Sequence, residues 1–229
     1  MTTTERDTMN GPTGDMIVST FTGGAFQQNG FLLRCRETGH AVVVDPGAAI
    51  PALIAEVERS GAKVDAILLT HAHLDHVEGL PEAKAAWDVP ILLHPDDRPL
   101  YEQVPTQAEW FGMSVGEMPP IEGDLQEGVP VTFGRCVLEV RHTPGHAPGH
   151  IILVGDGEAI TADTVFAGSI GRTDLPGGNA TVLLESIREK ILSLPDETVL
   201  HTGHGPSTTV GHERVTNPFL VSSFGGSLA

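Results

Sequence analysis

The sequence predicts an α/β fold in which β-sheets are covered by helices. Two observations support this prediction: short apolar runs rich in β-branched residues recur along the chain, and helical patterns separate some of these runs. The strands are too continuously apolar to have one face in solvent, so we expect both faces of the sheets to be covered by other elements. The predicted architecture is therefore a layered α/β sandwich.

The predicted elements are bounded by glycine, proline or charged residues. The strands are IVST, GFLLRC, AVVVD, AILLT, ILLH, VTF, VLEVR, IILV and TVLHT, and the helices are Pro51–Ser60, Glu78–Trp87 and Thr181–Leu194. In the first helix, Pro51 occupies the first turn, where its missing N–H is harmless, and Gly61 follows the end. In the third, Leu184, Ile187 and Ile191 recur at spacings of three and four, which predicts one apolar helix face.

The length of 229 residues favours a single domain. Residues 1–15 are rich in threonine, aspartate and glycine without periodicity, so we expect a flexible tail there and one domain over residues 16–229. The glycine- and proline-rich stretches at 116–130 and 168–178 are predicted to be surface loops within that domain.

The net charge of the chain limits the classes of molecule that it is expected to bind. Thirteen lysines and arginines against 30 aspartates and glutamates give a net charge of −17, which repels nucleic acids and anionic membrane surfaces. Phosphate-binding nucleases are disfavoured for the same reason. Cys35 and Cys136 lie in apolar strands and are expected to be inert core thiols. With no long apolar run and a polar N-terminus, a cytoplasmic location is expected.

A cluster of metal-binding side chains follows the predicted strand AILL. Residues 70–76 read Thr-His-Ala-His-Leu-Asp-His, so three imidazoles and a carboxylate arrive together at the end of a strand. Imidazole and carboxylate are ligands that zinc, iron and manganese accept. The pattern therefore predicts a metal site rather than a solvated polar loop.

Three further residues with matching chemistry lie at predicted strand ends: His146 in HTPGHAPGH, Asp163 in AITADTVF and His204 in HTGHGP. A single histidine of this kind is more often exposed or hydrogen bonded than a ligand. Added to the first cluster, however, they supply five histidines and two aspartates, enough for two metals sharing one carboxylate. We therefore predict two divalent metal ions, with zinc favoured and iron or manganese as alternatives.

These motifs carry a family resemblance. THAHLDH, HTPGH, ITADTVF and TGHG, in this order, resemble the ligand motifs of the metallo-β-lactamase fold, and the likeness runs from about Ile17 to about Leu220. AGSIGRTDLPGG and GHGPSTTVGHERVTNPF are similar to the small bacterial glyoxalase II-like hydrolases of the YcbL type, a group of hydroxyacylglutathione hydrolases. The resemblance implies an αββα sandwich: two sheets face to face, helices outside and the site at one edge.

The resemblance also implies roles for single residues. The first metal would be held by His71, His73 and His146, the second by Asp75, His76 and His204, and Asp163 would bridge the two. Asp75 and Asp163 would be catalytic, because they fix the metals and orient the attacking hydroxide. His142 and His150 flank His146 but match no ligand of the family.

Two residues outside the ligand set have open interpretations. Asp45, in VVVDPG, either orients a ligand imidazole or simply forms a turn before proline. Arg172, in the GRTD loop, is either a surface arginine or the substrate-binding cation that in glyoxalase relatives contacts a glutathione carboxylate.

The predicted activity is hydrolysis of a small-molecule thioester, possibly linked to glutathione, such as S-D-lactoylglutathione. Metal ions lower the pKa of a bound water towards about 7 and so provide hydroxide at neutral pH. The alternative is a mononuclear Fe(II) glutathione persulfide dioxygenase of the same fold, with His71, His146 and Asp163 as ligands. The GHGPSTTVGHERVTNPF ending favours the hydrolase. A β-lactamase is disfavoured because it would need export.

Overall fold

The computed structural model describes residues 15–221. Apart from Asp15, the predicted N-terminal tail lies outside the described residues, as do the last eight residues of the predicted domain. The boundary between tail and domain therefore stays a prediction. None of the helices in the described part has both the length and the apolar character needed to cross a membrane.

The first sheet contains six strands in the order of the chain. They are β1 (Met16–Gly23), β2 (Gln28–Cys35), β3 (His40–Val44), β4 (Lys63–Leu68), β5 (Ile91–Leu93) and β6 (Gly123–Asp124). Strands β1 to β3 are antiparallel, and β3 to β6 are parallel. In the parallel half of the sheet, the carboxyl ends of the strands lie at one edge. The histidines that follow β4 lie at this edge.

The second sheet has the order β14-β13-β10-β9-β8-β7. Its strands are β7 (Val131–Phe133), β8 (Cys136–His142), β9 (Ile151–Gly155), β10 (Glu158–Ala162), β13 (Val199–Thr202) and β14 (Thr208–Thr209), and a two-stranded ribbon pairs β11 (Val165–Phe166) with β12 (Ser169–Ile170). Each predicted strand is present. The expected loops at 116–130 and 168–178 contain only the two-residue strands β6 and β12.

Alternating side chains divide the core into layers, which confirms the predicted αββα sandwich. Along β2, Phe31 and Leu33 point into the cluster between the two sheets, whereas Leu32 points into the cluster beneath the helices. On β9, Ile151 faces the inter-sheet cluster and Ile152 faces the outer helices of the second sheet. Because successive strand residues face opposite sides and both sides are buried, the strands read as continuously apolar. Both cysteines lie in the inter-sheet cluster, as predicted.

Helices cover both outer faces. They are α1 (Ile50–Ser60), α2 (Leu74–Val77), α3 (Leu80–Ala86), α4 (Arg98–Glu102), α5 (Val104–Trp110), α6 (Ala180–Ser186) and α7 (Val210–Thr216). The predicted first helix is confirmed: it ends at Gly61, whose left-handed φ of 64° suits glycine. The predicted third helix is α6, capped by the Asn179 side chain, followed by a π-turn at Ile187–Ile191.

The predicted helix at residues 78–87 is present but shorter, as α3 over Leu80–Ala86. The short helix α2, which was not predicted, precedes it, and Gly79 lies between the two. A Cβ atom at this position would collide with the carbonyl oxygens of Pro46 and Gly47. The chain must therefore pass close to the β3 loop at a glycine, and this contact orients α2 towards the edge of the sandwich. Helices α4, α5 and α7 are short and were not predicted.

The inter-sheet core offers a direct test of this architecture. Phe31 is fully buried there, so Phe31→Ala should lower the free energy of unfolding by about 3–5 kcal/mol through lost burial and a cavity. Phe219, whose side chain is 47% exposed, provides the matched control, and Phe219→Ala should be less destabilising by about 2 kcal/mol. Denaturant unfolding measures both, and equal losses would contradict the layer assignment.

Candidate metal centre

All seven predicted ligands meet at one edge of the sandwich. His71 and His73 follow β4, Asp75 and His76 lie in α2, His146 lies in the β8–β9 connection, Asp163 follows β10, and His204 follows β13. Each side chain thus leaves the end of a strand, or the turn after it, on the same side of the molecule. The fold explains why residues separated by up to 133 positions in sequence, from His71 to His204, lie in one place.

The first group of donors consists of three histidines. One nitrogen from each of His71, His73 and His146 lies within 4.8 Å of the others, and all three side chains are buried. His73 Nδ1 and His146 Nε2 are 2.8 Å apart. Three imidazoles at this spacing can share a single cation.

The second group contains Asp75, His76 and His204, whose donor atoms also lie within 4.8 Å of one another. Asp163 lies between the two groups. Its Oδ2 is 3.4 Å from His146 Nε2 in the first group and 3.5 Å from His204 Nε2 in the second. Its carboxylate therefore reaches both sets of donors.

Asp45 orients two of the histidines. Its Oδ2 accepts a hydrogen bond of 2.9 Å from His76 Nδ1, and both the amide and the hydroxyl of Thr70 donate to the same carboxylate. The Thr70 hydroxyl in turn lies 3.1 Å from His71 Nδ1. Asp45 itself adopts a positive φ of 49°. Of its two interpretations, the geometry supports the orienting role, since one ring nitrogen of each histidine is engaged and the other faces the site.

Backbone carbonyls orient two other histidines. His146 Nδ1 lies 2.8 Å from the carbonyl oxygen of Arg172, and His204 Nδ1 lies 3.0 Å from that of Phe26. An N–H at Nδ1 donated to each carbonyl leaves Nε2 as the nitrogen that faces Asp163. Orientation by main-chain atoms fixes these rings without dependence on the side chains of Phe26 and Arg172.

The donor set fits divalent cations. His71 Nε2, His76 Nε2 and Asp163 Oδ1 are buried and have no hydrogen-bond partner among residues 15–221. Buried polar atoms without partners are destabilising, and a bound cation satisfies lone pairs of this kind. Five imidazoles and two carboxylates match the ligand preferences of zinc, iron and manganese.

The local electrostatics differ between the two groups. Burial, followed by the neighbouring His146, lowers the pKa of His73 to about 3, and burial holds the pKa of His71 well below its usual value. Both imidazoles are therefore neutral at neutral pH, which is the form that binds metal. Burial also opposes protonation of His204, but hydrogen bonds to Asp163 and Asp75 outweigh it and raise the pKa of His204 to about 10. A cation in the second group would replace that proton.

Close backbone approach shapes the environment of Asp163. A Cβ atom at Gly203 would collide with the Asp163 carboxylate, and one at Gly171 would collide with the Asp163 carbonyl oxygen. Ala162, directly before Asp163, has a positive φ of 41°. Unfavourable backbone conformations of this kind concentrate at functional sites, where the surrounding structure stabilises them.

Two buried residues that sequence reasoning missed support the ligand loop. The Asp97 carboxylate accepts hydrogen bonds from the amides of Ala72 and Gly149, and so ties the His71–His73 segment to the loop that carries His146. Gln107, in α5, accepts from the Leu74 amide and donates to the Ala72 carbonyl. Both lie far from the ligand motifs in sequence, and an isolated aspartate or glutamine carries no signal of such a role.

His150 was predicted to lie outside the ligand set, and it packs behind that set. It is fully buried, its ring stacks on His71 with centroids 4.8 Å apart, and its Nε2 accepts a hydrogen bond of 3.3 Å from the Asp163 amide.

His142, the other histidine that flanks His146, stacks on His94, with ring centroids 4.1 Å apart and planes 9° from parallel. Lone pairs in parallel, separate planes cannot both point at one cation, so the cluster formed with Asp96 does not fit a metal.

Arg172 lines a cavity of about 360 Å³ that opens over the donors. His73, Asp75, Asp163 and His204 also line it, so a molecule in this cavity would lie directly beside both donor groups. The guanidinium of Arg172 is 57% exposed and makes two hydrogen bonds, of 2.7 and 2.8 Å, to Asp174. Its charge is thus already paired within the GRTD loop.

An αββα sandwich with histidine and aspartate donors clustered at one edge defines a class of metallo-hydrolases. A family model described as the metallo-beta-lactamase superfamily matches residues 23–204, and the chain belongs to this superfamily. The chain is accordingly a metallo-hydrolase, in a family whose members bind divalent metals.

Three individual relatives are similar to this chain along most of its length. Hydroxyacylglutathione hydrolase GloC from Haemophilus influenzae is 39% identical over 202 residues, which cover 86% of this chain and 95% of that protein. The structure of BLEG-1, described as a B3 metallo-beta-lactamase, superposes with a TM-score of 0.84 at 36% identity and covers 90% of this chain and 100% of that one. The structure of TTHA1623 in a di-iron-bound form gives 0.81 at 41% identity, covering 89% and 100%.

The position of Asp97 predicts a measurable role in metal binding. Asp97→Asn replaces one acceptor oxygen by an N–H donor that faces a backbone amide, so it should lower the free energy of unfolding by about 1–3 kcal/mol. Metal affinity should fall about 10- to 100-fold, as for other residues that position ligand loops. Metal titration and denaturant unfolding measure these effects.

Asp96→Asn is the matched control, because the Asp96 side chain is exposed and does not contact the ligand loops. It should change the free energy of unfolding by less than about 0.5 kcal/mol. If the two variants bound metal equally well, the positioning role of Asp97 would be wrong.

Proposed function

We propose that this chain is a binuclear metal-dependent thioester hydrolase of the glyoxalase II type, acting on hydroxyacyl thioesters such as S-D-lactoylglutathione. The observation that carries the proposal is the Asp163 carboxylate, which reaches both donor groups under a cavity of substrate size. The similarity to hydroxyacylglutathione hydrolase GloC along almost the full length of that protein supports the substrate class.

In this proposal one cation would be held by His71, His73 and His146, the other would be held by Asp75, His76 and His204, and Asp163 would contribute to both. Zinc is the favoured metal, with iron or manganese as alternatives. When bound, the two ions lower the pKa of a water and polarise a carbonyl oxygen.

The protein residues provide position and charge. Asp75 and Asp163 both line the cavity, and their carboxylates would supply the negative charge that holds the cations. Asp45 and the carbonyls of Phe26 and Arg172 prevent the ligand rings from rotating away. The leaving group is a thiolate with a thiol pKa of about 8.5, which departs without a protein acid, so no residue is needed in that role.

Histidine substitutions test the proposal. His73→Ala should reduce bound metal and abolish cleavage of S-D-lactoylglutathione together, because the donor and the reaction depend on the same site. His212→Ala removes an exposed imidazole outside the site and should leave metal content and rate unchanged. Elemental analysis and direct observation of thioester loss in the ultraviolet are the measurements.

Parallel assays separate this activity from its alternatives. Oxygen uptake with glutathione persulfide, together with one iron per chain, would support the dioxygenase instead. The second donor group favours the hydrolase, since Asp75, His76 and His204 lie close enough together to hold the second cation that the binuclear reaction needs. Cleavage of a β-lactam, tested because of the likeness to BLEG-1, without thioester turnover would also contradict the proposal.

The Arg172 side chain is proposed to contact a carboxylate of the thiol carrier. Arg172→Ala should raise KM for S-D-lactoylglutathione about 10-fold and leave kcat nearly unchanged, because the contact lies away from the reacting carbonyl. Asp174→Asn, which leaves the guanidinium free, should lower KM. Steady-state kinetics of both variants check this, and an unaltered KM in the Arg172 variant would remove the residue from the binding scheme.

A further inference from the structure

The cavity above the donors has one strongly apolar wall. Phe26, Leu100, Trp110 and Phe111 line it, and Trp110 and Phe111 are 56% and 51% exposed although both are large and apolar. The Phe26 and Phe111 rings meet edge to face with centroids 5.0 Å apart. Exposed aromatic side chains that gather at the mouth of a cavity are typical of binding sites for apolar groups. We refer to Phe26, Trp110 and Phe111 as the aromatic wall.

The aromatic wall and Arg172 come from different parts of the sandwich. Phe26 lies between β1 and β2, and Trp110 ends α5, which packs on the first sheet, whereas Arg172 follows β12. Phe26 holds His204, in the second donor group, through its carbonyl oxygen. Arg172 holds His146, in the first donor group, in the same way. All of these residues line the same cavity as Asp163, so a thioester bound there can direct one substituent towards Arg172 and the other towards the aromatic wall.

The charges determine which substituent takes which side. Arg172 is the one lysine or arginine among the described residues that line the cavity. A thiol carrier with carboxylate groups, such as glutathione, can pair with a cationic side chain only where Arg172, 57% exposed, is shared with Asp174, and the aromatic wall offers it no charge. The acyl group is then left to the aromatic wall, where a methyl group would cover little of the exposed rings.

We infer that the acyl group of the substrate lies against the aromatic wall, and that the enzyme selects thioesters whose 2-hydroxyacyl group carries an aromatic side chain over those with a methyl group. The inference rests on the proposed thioesterase activity. Phe111 is the specificity-determining residue in this scheme, because its ring packs on Phe26, which holds it in place, and is still 51% exposed where it lines the cavity.

Two substrates that differ in one group test the inference. S-D-lactoylglutathione and S-D-mandeloylglutathione share the carrier and the hydroxyl and differ by a phenyl in place of a methyl group. The ratio of their kcat/KM values is measured for the metal-loaded wild type, Phe111→Ala and Phe219→Ala. Differences in intrinsic reactivity between the two thioesters cancel when the ratios of the variants are compared with that of the wild type.

The mandeloyl-to-lactoyl ratio should fall about 10-fold in Phe111→Ala and stay within twofold of wild type in Phe219→Ala, whose ring does not line the cavity. If Phe111→Ala does not fold, Phe111→Leu provides the same test, because it removes the ring but keeps an apolar side chain of similar size. The ratio should then fall by a smaller factor. If the Phe111 variants still cleave lactoylglutathione and keep the wild-type ratio, the inference about the acyl group is wrong, but the proposed thioesterase activity stands. Absence of cleavage of either thioester overturns both.

Discussion

The cluster of buried donors at the edge of the sandwich constrains much of the surrounding structure. His71 Nε2, His76 Nε2 and Asp163 Oδ1 are shielded from water and lack hydrogen-bond partners in the described part of the chain. Such atoms are unfavourable in a folded protein unless something else satisfies them. The glycine at 203, the positive φ of Ala162 and the paired hydrogen bonds of Asp45 all serve to keep these donors aimed at a common point.

The layered core keeps the strand ends that carry these donors in fixed positions. Three apolar clusters, one between the sheets and one under each set of helices, hold the strands so that their ends lie in fixed register. The donors project from strand ends and short turns, where main-chain geometry is set by the sheets. Asp97 accepts a hydrogen bond from the Ala72 amide, and Gln107 bonds the Leu74 amide and the Ala72 carbonyl. These hydrogen bonds hold the loop that carries His71 and His73 firmly against the core.

The sequence predicted what depends on local pattern. The strands follow from apolar runs, the first helix from Pro51 and Gly61, and the donors from a histidine and aspartate spacing that is rare by chance. It did not predict the helices α4 and α5, whose short segments lack a full apolar period, or the break at Gly79, which reflects a contact with the distant β3 loop. The roles of Asp97 and His150 were missed for the same reason: they exist only once separate loops are brought together.

The carbonyl oxygens of Phe26 and Arg172 orient His204 and His146, while the side chains of the same two residues line the cavity. Main-chain atoms are present whatever the side chain is. Substitutions at these positions can therefore change what the cavity accepts without disturbing the centre that performs the reaction. This separation gives the scaffold a route to new substrates through single replacements, each of which leaves the reactive machinery intact while the cavity is altered.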